Sequence, residues 1–292
     1  MASVDIVYRY GPQEVPVRPR PADGDAALAR LDAGNRAFAA LLDSVRGDGE
    51  PARRVVHVDP RDLGLVPGAA RVPSQQPFAA ILGCADARVP IELIFNEGPN
   101  DLFVVRVAGN GLGADALGSL KYAIEHLGGS LRLVVVLGHS GCGAASAAVD
   151  VFLNPGDYLP LANDPSLRQI LDRLLVVVQA SARKLAAVFG PEVVRHPGYR
   201  EALIESAIVT NAALTAFSVQ KAIDADGSDG LRTVYGVYRL ETREVWTPRL
   251  GRPQGSGLAA APRDLRGFNE LGDAMVQSTR MKAMLAGSHT RP

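Results

Sequence analysis

Three short apolar runs limit most strongly what this chain can fold into. Phe78–Leu82 ends in Gly83, Leu102–Ala108 reads LFVVRVA, and Leu131–Leu137 reads LRLVVVL. Each predicts a buried strand. Ala114–Leu127 predicts a helix between the last two, stopped by Gly128-Gly129, and Gly143–Val151 starts another. Apolar strands alternating with helices predict an α/β fold with a mostly parallel central sheet of about four strands flanked by helices. Leu231–Leu240 and Glu244–Trp246, joined by the turn Glu241-Thr242-Arg243, predict an added antiparallel strand near the C-terminal part.

The flanks are read more coarsely. Residues 1–24 are rich in Pro, Arg and Val without periodicity, and predict an extended arm. Asp25–Ser44 predicts a helix, with Leu28, Leu31, Phe38, Leu41 and Leu42 at helical spacing and Gly34-Asn35 weakening its middle. Gly47–Pro73 reads as loop, punctuated by Pro51, Pro60 and Pro67. Helices are expected over Pro165–Phe189 and Tyr199–Ile223. Beyond Arg252 one short helix is expected, Asp273–Leu285.

Composition removes several function classes. The 292 residues carry 31 basic and 31 acidic side chains, a net charge of zero, so no electrostatic footprint for nucleic acid or an anionic membrane is expected. No uninterrupted apolar run reaches the roughly 18–20 residues that span a bilayer. Met1–Pro21 lacks the apolar stretch of a secretory signal, and a cytoplasmic protein is expected.

The chemistry gathers around the only two cysteines. Cys84 lies just past the first strand and leads into Ala85-Asp86-Ala87-Arg88; His139 and Cys142 follow the third strand. In parallel sheets, sites form outside the carboxyl ends of the strands. The topology therefore brings together Cys84 and His139, although 54 residues lie between them. Zinc favours thiolate and imidazole ligands in tetrahedral geometry, and Cys84, His139 and Cys142 supply three. Asp86 offers a fourth. A structural site would be closed by four protein ligands, whereas a catalytic site keeps one position open. Arg88 can hold the Asp86 carboxylate in a bidentate pair and so keep it off the metal. Two thiolates leave such a centre near neutral, so its water should be less acidic than at a three-histidine site, where the pKa is about 7. Inert core cysteines and a merely structural ion pair are the blander readings, and the residues around Cys84 and Cys142 weigh against both. His57, His126, His196 and His289 lack any partner pattern. The glycines of Gly109–Gly113 have neither the Lys-Ser/Thr of a phosphate loop nor dinucleotide spacing.

Cys84–Arg88, extended by Val89–Phe95 and Gly98, resembles the first signature of the beta-class carbonic anhydrases. Phe103–Asn110 (FVVRVAGN) resembles the next block, and Gly138–Ala144 (GHSGCGA) the second metal segment. Ala33–Phe38 resembles the family's N-terminal helix. The resemblance covers about residues 25–250, so a zinc catalytic domain is expected there, between the 1–24 arm and a 251–292 extension. It implies one zinc ion per subunit on Cys84, His139 and Cys142, with Asp86 and Arg88 as the gating dyad. It also implies reversible hydration of carbon dioxide to bicarbonate and a proton, by attack of a zinc-bound hydroxide. Gln75, nine residues before Cys84, is similar to a family glutamine that helps bind substrate, with Gln76 as the alternative register. The apolar pocket would be completed across a dimer interface, in a homodimer or a dimer of dimers. The same ligands would serve a hydrolase acting on carbonyl sulfide or carbon disulfide, or a zinc-stabilised regulatory protein without turnover. Ala85 and Ala87 stand where serines are usual, and Val107 where asparagine is frequent.

Overall fold

The computed structural model describes residues 4–10, 19–41, 52–66, 72–227, 230–249 and 257–287. Its first elements correct the reading of the flanks. The arm contains a strand, β1 (Val4–Tyr10), and the segment read as loop contains another, β2 (Ala52–Val58). They pair in parallel from Val4–Ala52 to Tyr10–Val58, in a two-stranded sheet of their own. The prolines at 51 and 60 bracket β2 instead of interrupting it, and Ala52, Val56 and Val58 are buried.

Between these strands lies α1 (Gly24–Ala39), capped by Asp23, whose carboxylate accepts the Ala26 amide at 2.8 Å. The expected end of this helix, residues 42–44, lies outside the described residues. Gly34 and Asn35 serve packing here. A Cβ at Gly34 would lie 1.9 Å from the Phe95 carbonyl oxygen. Asn35 is buried and uses its amide fully, donating to Ile94 O and Arg243 O and accepting from Val245 N at 2.7 Å. A glycine and an amide that cost helix propensity thus let α1 sit close to the end of α2 and bond to Val245 of the sheet edge.

The central sheet contains β3 (Ala79–Gly83), β4 (Leu102–Arg106), β5 (Leu133–His139) and β6 (Arg232–Tyr238), ordered β4-β3-β5-β6 and all parallel. The short β7 (Val245–Trp246) and β8 (Ala259–Ala260) pair with β6 antiparallel. The helices are α2 (Ile91–Ile94), α3 (Ala114–Leu127), α4 (Gly143–Leu153), α5 (Pro165–Phe189) and α6 (Tyr199–Ala225). Alternate strand residues feed two cores. Ala80, Leu82, Val134, Val136 and Val237 join the cluster built with α4, α5 and α6; Ala79, Ile81, Val135 and Leu137 join the one built with α1 and α2.

Near the C-terminus the single expected helix is two, α7 (Leu265–Gln277) and α8 (Thr279–Leu285). Ser278 divides them in an extended conformation, and its hydroxyl caps α8 by accepting from Met281 N at 3.1 Å. Met275, Met281 and Met284 are buried in the larger core cluster. Among the described residues one helix, α6, is long and apolar enough to cross a membrane, but 72 % of its apolar window is buried inside the protein.

Candidate metal centre

β3 and β5 lie side by side, in register from Ala79–Leu133 to Gly83–Leu137, so their carboxyl ends deliver Cys84 and His139 to one place. His139 closes β5. Ser140 and Gly141 turn the chain, and Cys142 sits at the N-cap of α4. Gly141 has φ of +65°, a conformation that favours glycine, and this turn lets both ligands of the His-x-x-Cys step face one point.

The ligand atoms of Cys84, His139 and Cys142 all lie within 4.8 Å of one another, and all three residues are buried. His139 Nδ1 is bonded to the Ser140 carbonyl at 3.0 Å, which leaves Nε2 buried and without a hydrogen-bond partner. A buried imidazole nitrogen without a partner is costly unless something else engages it. Two soft sulfurs and that nitrogen form a donor set suited to a metal ion such as zinc.

The protein groups around the sulfurs favour thiolate at Cys84 and oppose it at Cys142. Cys84 is brought down to about 3 by a hydrogen bond from Cys142, which outweighs burial, and His139 and the amides of Asp86 and Gly109 act in the same direction. Cys142 is pushed far up by that same bond, with burial adding to it, although the amides of Ala145 and Ala144 oppose the rise. A bound cation would keep both sulfurs ionised.

Asp86 stands outside the three-ligand group, although its Oδ2 lies 3.8 Å from His139 Nε2. Arg88 holds it on both oxygens, Nε to Oδ1 at 3.0 Å and Nη2 to Oδ2 at 2.7 Å, and the Arg88 amide adds a third bond to Oδ1. These bonds, led by the guanidinium, hold the Asp86 carboxyl far below the usual carboxylate range. The Arg88 side chain is 60 % exposed and also donates to Gly141 O at 3.3 Å, so the pair bridges the two ligand loops at the surface. Ala85 and Ala87 are exposed on either side of Asp86 and take no part.

Two further groups brace the loops. Arg106, at the end of β4, donates to the carbonyls of Cys84 (3.0 Å) and Asp86 (2.5 Å). Asn211 of α6 donates to Gly109 O at 2.9 Å, on the residue whose own amide faces Cys84. Sequence reasoning passed over both. A charge ending the apolar run LFVVR was a signal for Arg106; nothing local marked Asn211. Gly109 also lines an apolar cleft of about 280 Å³, walled by Val107, Leu112, Ile170, Leu174 and Leu214.

Gln75 is not brought to this centre within one chain. It is exposed before the amino end of β3, where the Gln76 amide donates to Asn100 Oδ1 at 3.0 Å. Cys84 follows the carboxyl end. The five-residue strand between them alone spans roughly 16 Å at about 3.3 Å per residue.

A family model described as "Carbonic anhydrase" matches residues 79–245, more than half of the chain. The protein therefore belongs to the carbonic anhydrase family, in the beta class that its motifs resemble. It is 41 % identical over 137 residues to Carbonic anhydrase 2 of Mycobacterium tuberculosis, spanning 46 % of this chain and 58 % of that protein. It is 42 % identical over 86 residues to a Mycolicibacterium smegmatis carbonic anhydrase, spanning 30 % and 41 %. The chain thus spans less than two thirds of the length of these relatives. A solved beta-carbonic anhydrase from Coccomyxa shares 26 % identity, with a TM-score of 0.44 over 59 % of this chain and 72 % of that one.

Proposed function

We propose that this protein catalyses the reversible hydration of carbon dioxide to bicarbonate and a proton, with one zinc ion held by Cys84, His139 and Cys142. The observation that carries the reading is the division of roles at the centre. Three buried donors converge, while the one nearby carboxylate, Asp86, is turned to Arg88. Three protein ligands and one withheld acid leave a coordination position open, which a catalytic site needs and a structural site lacks. Zinc held by these three residues would acidify a water in that open position and so supply the nucleophile.

The chain's own residues do the rest. Asp86, kept ionised by Arg88, accepts a hydrogen bond from the group that adds to carbon dioxide and so aligns it. Arg88 sets how far the carboxylate can swing toward the metal. Arg106 fixes the backbone from which Asp86 projects. The cleft walled by Val107 and Leu112 offers apolar surface to a small apolar substrate.

A second copy of the chain completes the site in this reading. Gln75 sits at the wrong end of its own strand, so it can face a metal centre only across an interface, in a homodimer or a dimer of dimers. The two thiols are unpaired, which suits the reducing cytoplasm where we place the protein.

Stopped-flow measurement of carbon dioxide hydration tests the proposal. A zinc-loaded sample at pH about 8.5 should hydrate carbon dioxide well above background, and Asp86→Ala should lose that activity while keeping its zinc. A zinc-loaded wild type without hydration under those conditions would refute it.

A further inference from the structure

Beyond the ligand cluster, a polar chain runs from α8 to His139, buried at Glu205 and Ser140, mostly buried at Arg280, and open to solvent at Glu241, whose side chain is 39 % exposed. Ser140 is its hub. The Ser140 amide donates to Tyr238 O at 2.9 Å. Its hydroxyl donates to Glu241 Oε2 at 2.8 Å and accepts from Leu240 N at 2.9 Å. Its carbonyl is the partner of His139 Nδ1. Glu241 is held in turn by Arg280 of α8, Nη1 to Oε1 at 2.5 Å, and Arg280 Nε donates to Glu205 Oε1 of α6 at 2.6 Å. The Arg280 side chain is only 14 % exposed and that of Glu205 only 3 %. Arg239 reaches Glu241 more weakly, at 3.4 Å.

We propose that Arg280 is a positioning residue for the metal centre, acting through Glu241 and Ser140 on His139. This rests on the reading that Cys84, His139 and Cys142 hold zinc. A ligating imidazole must present one nitrogen to the metal, and the bond made by the other nitrogen decides which one. Here that bond goes to the Ser140 carbonyl. The turn is anchored by the Ser140 amide on Tyr238 O and by Arg88 on Gly141 O. The Ser140 hydroxyl adds the bonds to Glu241 and Leu240, and Arg280 is the cation that keeps the Glu241 carboxylate aimed at Ser140. Burial alone would raise Glu241, but its own amide, Arg280, Ser140 and Arg239 bring it down to about 2, so it stays an acceptor. The C-terminal helix α8 is thereby part of the outer support of the metal site.

The rival account is that Arg280 only staples α8 to the body of the protein. A second staple, Lys184–Asp273 at 2.6 Å, does that for α7 away from the centre and supplies the control. The test compares Glu241→Gln, Arg280→Met and Lys184→Met in full-length protein. It reads the visible ligand-field spectrum of the cobalt(II)-substituted form and zinc affinity by competition with a chromophoric chelator. Glu241→Gln and Arg280→Met should alter the cobalt bands and weaken zinc binding about ten-fold or more. Lys184→Met should leave both unchanged, and Arg280→Lys should recover part of the loss. Because Arg280→Met strands the buried Glu205, Arg280→Met paired with Glu205→Gln keeps the test open if the single variant does not fold. Wild-type cobalt spectra and zinc affinity in folded Glu241→Gln and in the paired variant would overturn the proposal. Neither readout uses turnover. Shifted spectra in a protein that cannot hydrate carbon dioxide would refute the activity and leave the positioning role. Failure of the wild type to bind either metal would overturn both.

Discussion

Two ion-paired groups flank the metal-ligand loops, and they differ in sequence separation and in the burial of their arginines. Asp86–Arg88 is local, two residues apart, and Arg88 is 60 % exposed. Glu205–Arg280–Glu241 joins α6, α8 and the turn after β6, and its arginine is 14 % exposed. An exposed pair contributes little to stability and rearranges cheaply. A buried one is costly to break, because removing one partner leaves an uncompensated charge. The difference suits two tasks. A carboxylate that must be withheld from a metal, yet remain close to it, belongs in a pair that can open. A group that fixes a ligand's backbone belongs in a pair that cannot.

The largest expected effect removes what both groups serve. Cys142→Ser should lose zinc and reduce hydration to background, as read by metal analysis and stopped-flow. Next, Asp86→Asn should keep zinc while lowering kcat by about 10²–10⁴-fold, the usual contribution of a positioned acid or base. The comparison of the pairs is sharpest in stability. Arg280→Met should cost about 3–5 kcal/mol in denaturant unfolding, whereas Arg88→Ala should cost about 1 kcal/mol or less. Equal losses would erase the distinction drawn between them.

The smallest effect is a pH dependence. Glu241 titrates lower in the folded protein, at about 2, than its usual 4.5. Its contribution is therefore fully present above about 4.5 and is lost as pH falls toward about 2. The stability gap between wild type and Glu241→Gln should narrow across that window when followed by urea unfolding. A gap independent of pH would show that the carboxylate's charge is not what holds Arg280.

The contrast also explains what the sequence disclosed. The parallel sheet was legible because β3, β4 and β5 are short apolar runs ending at chemistry, and α3 and α5 have clear stops. Cys84, Asp86, Arg88, His139 and Cys142 were legible because each set is local, and strand order did the rest. The exposed pair could be read off adjacent letters. The buried one could not, since Glu205, Glu241 and Arg280 are brought together only by the packing of α6 and α8. β1 and β2 escaped for a related reason. Each is half-buried at most and finds its partner across α1, so neither shows a strong pattern alone. Gln75 was placed by motif register, and its position before β3 sets it at the amino end of the strand, opposite the ligand loops.

The central claim is that three protein ligands hold the metal while Arg88 keeps Asp86 away from it. A crystal structure of the zinc-loaded protein at pH about 8.5 tests this most directly. The account predicts zinc on Cys84, His139 and Cys142, solvent in the fourth position, and Asp86 on Arg88. An Asp86 oxygen at about 2.0 Å from zinc under those conditions, with the Arg88 pair broken, would contradict it.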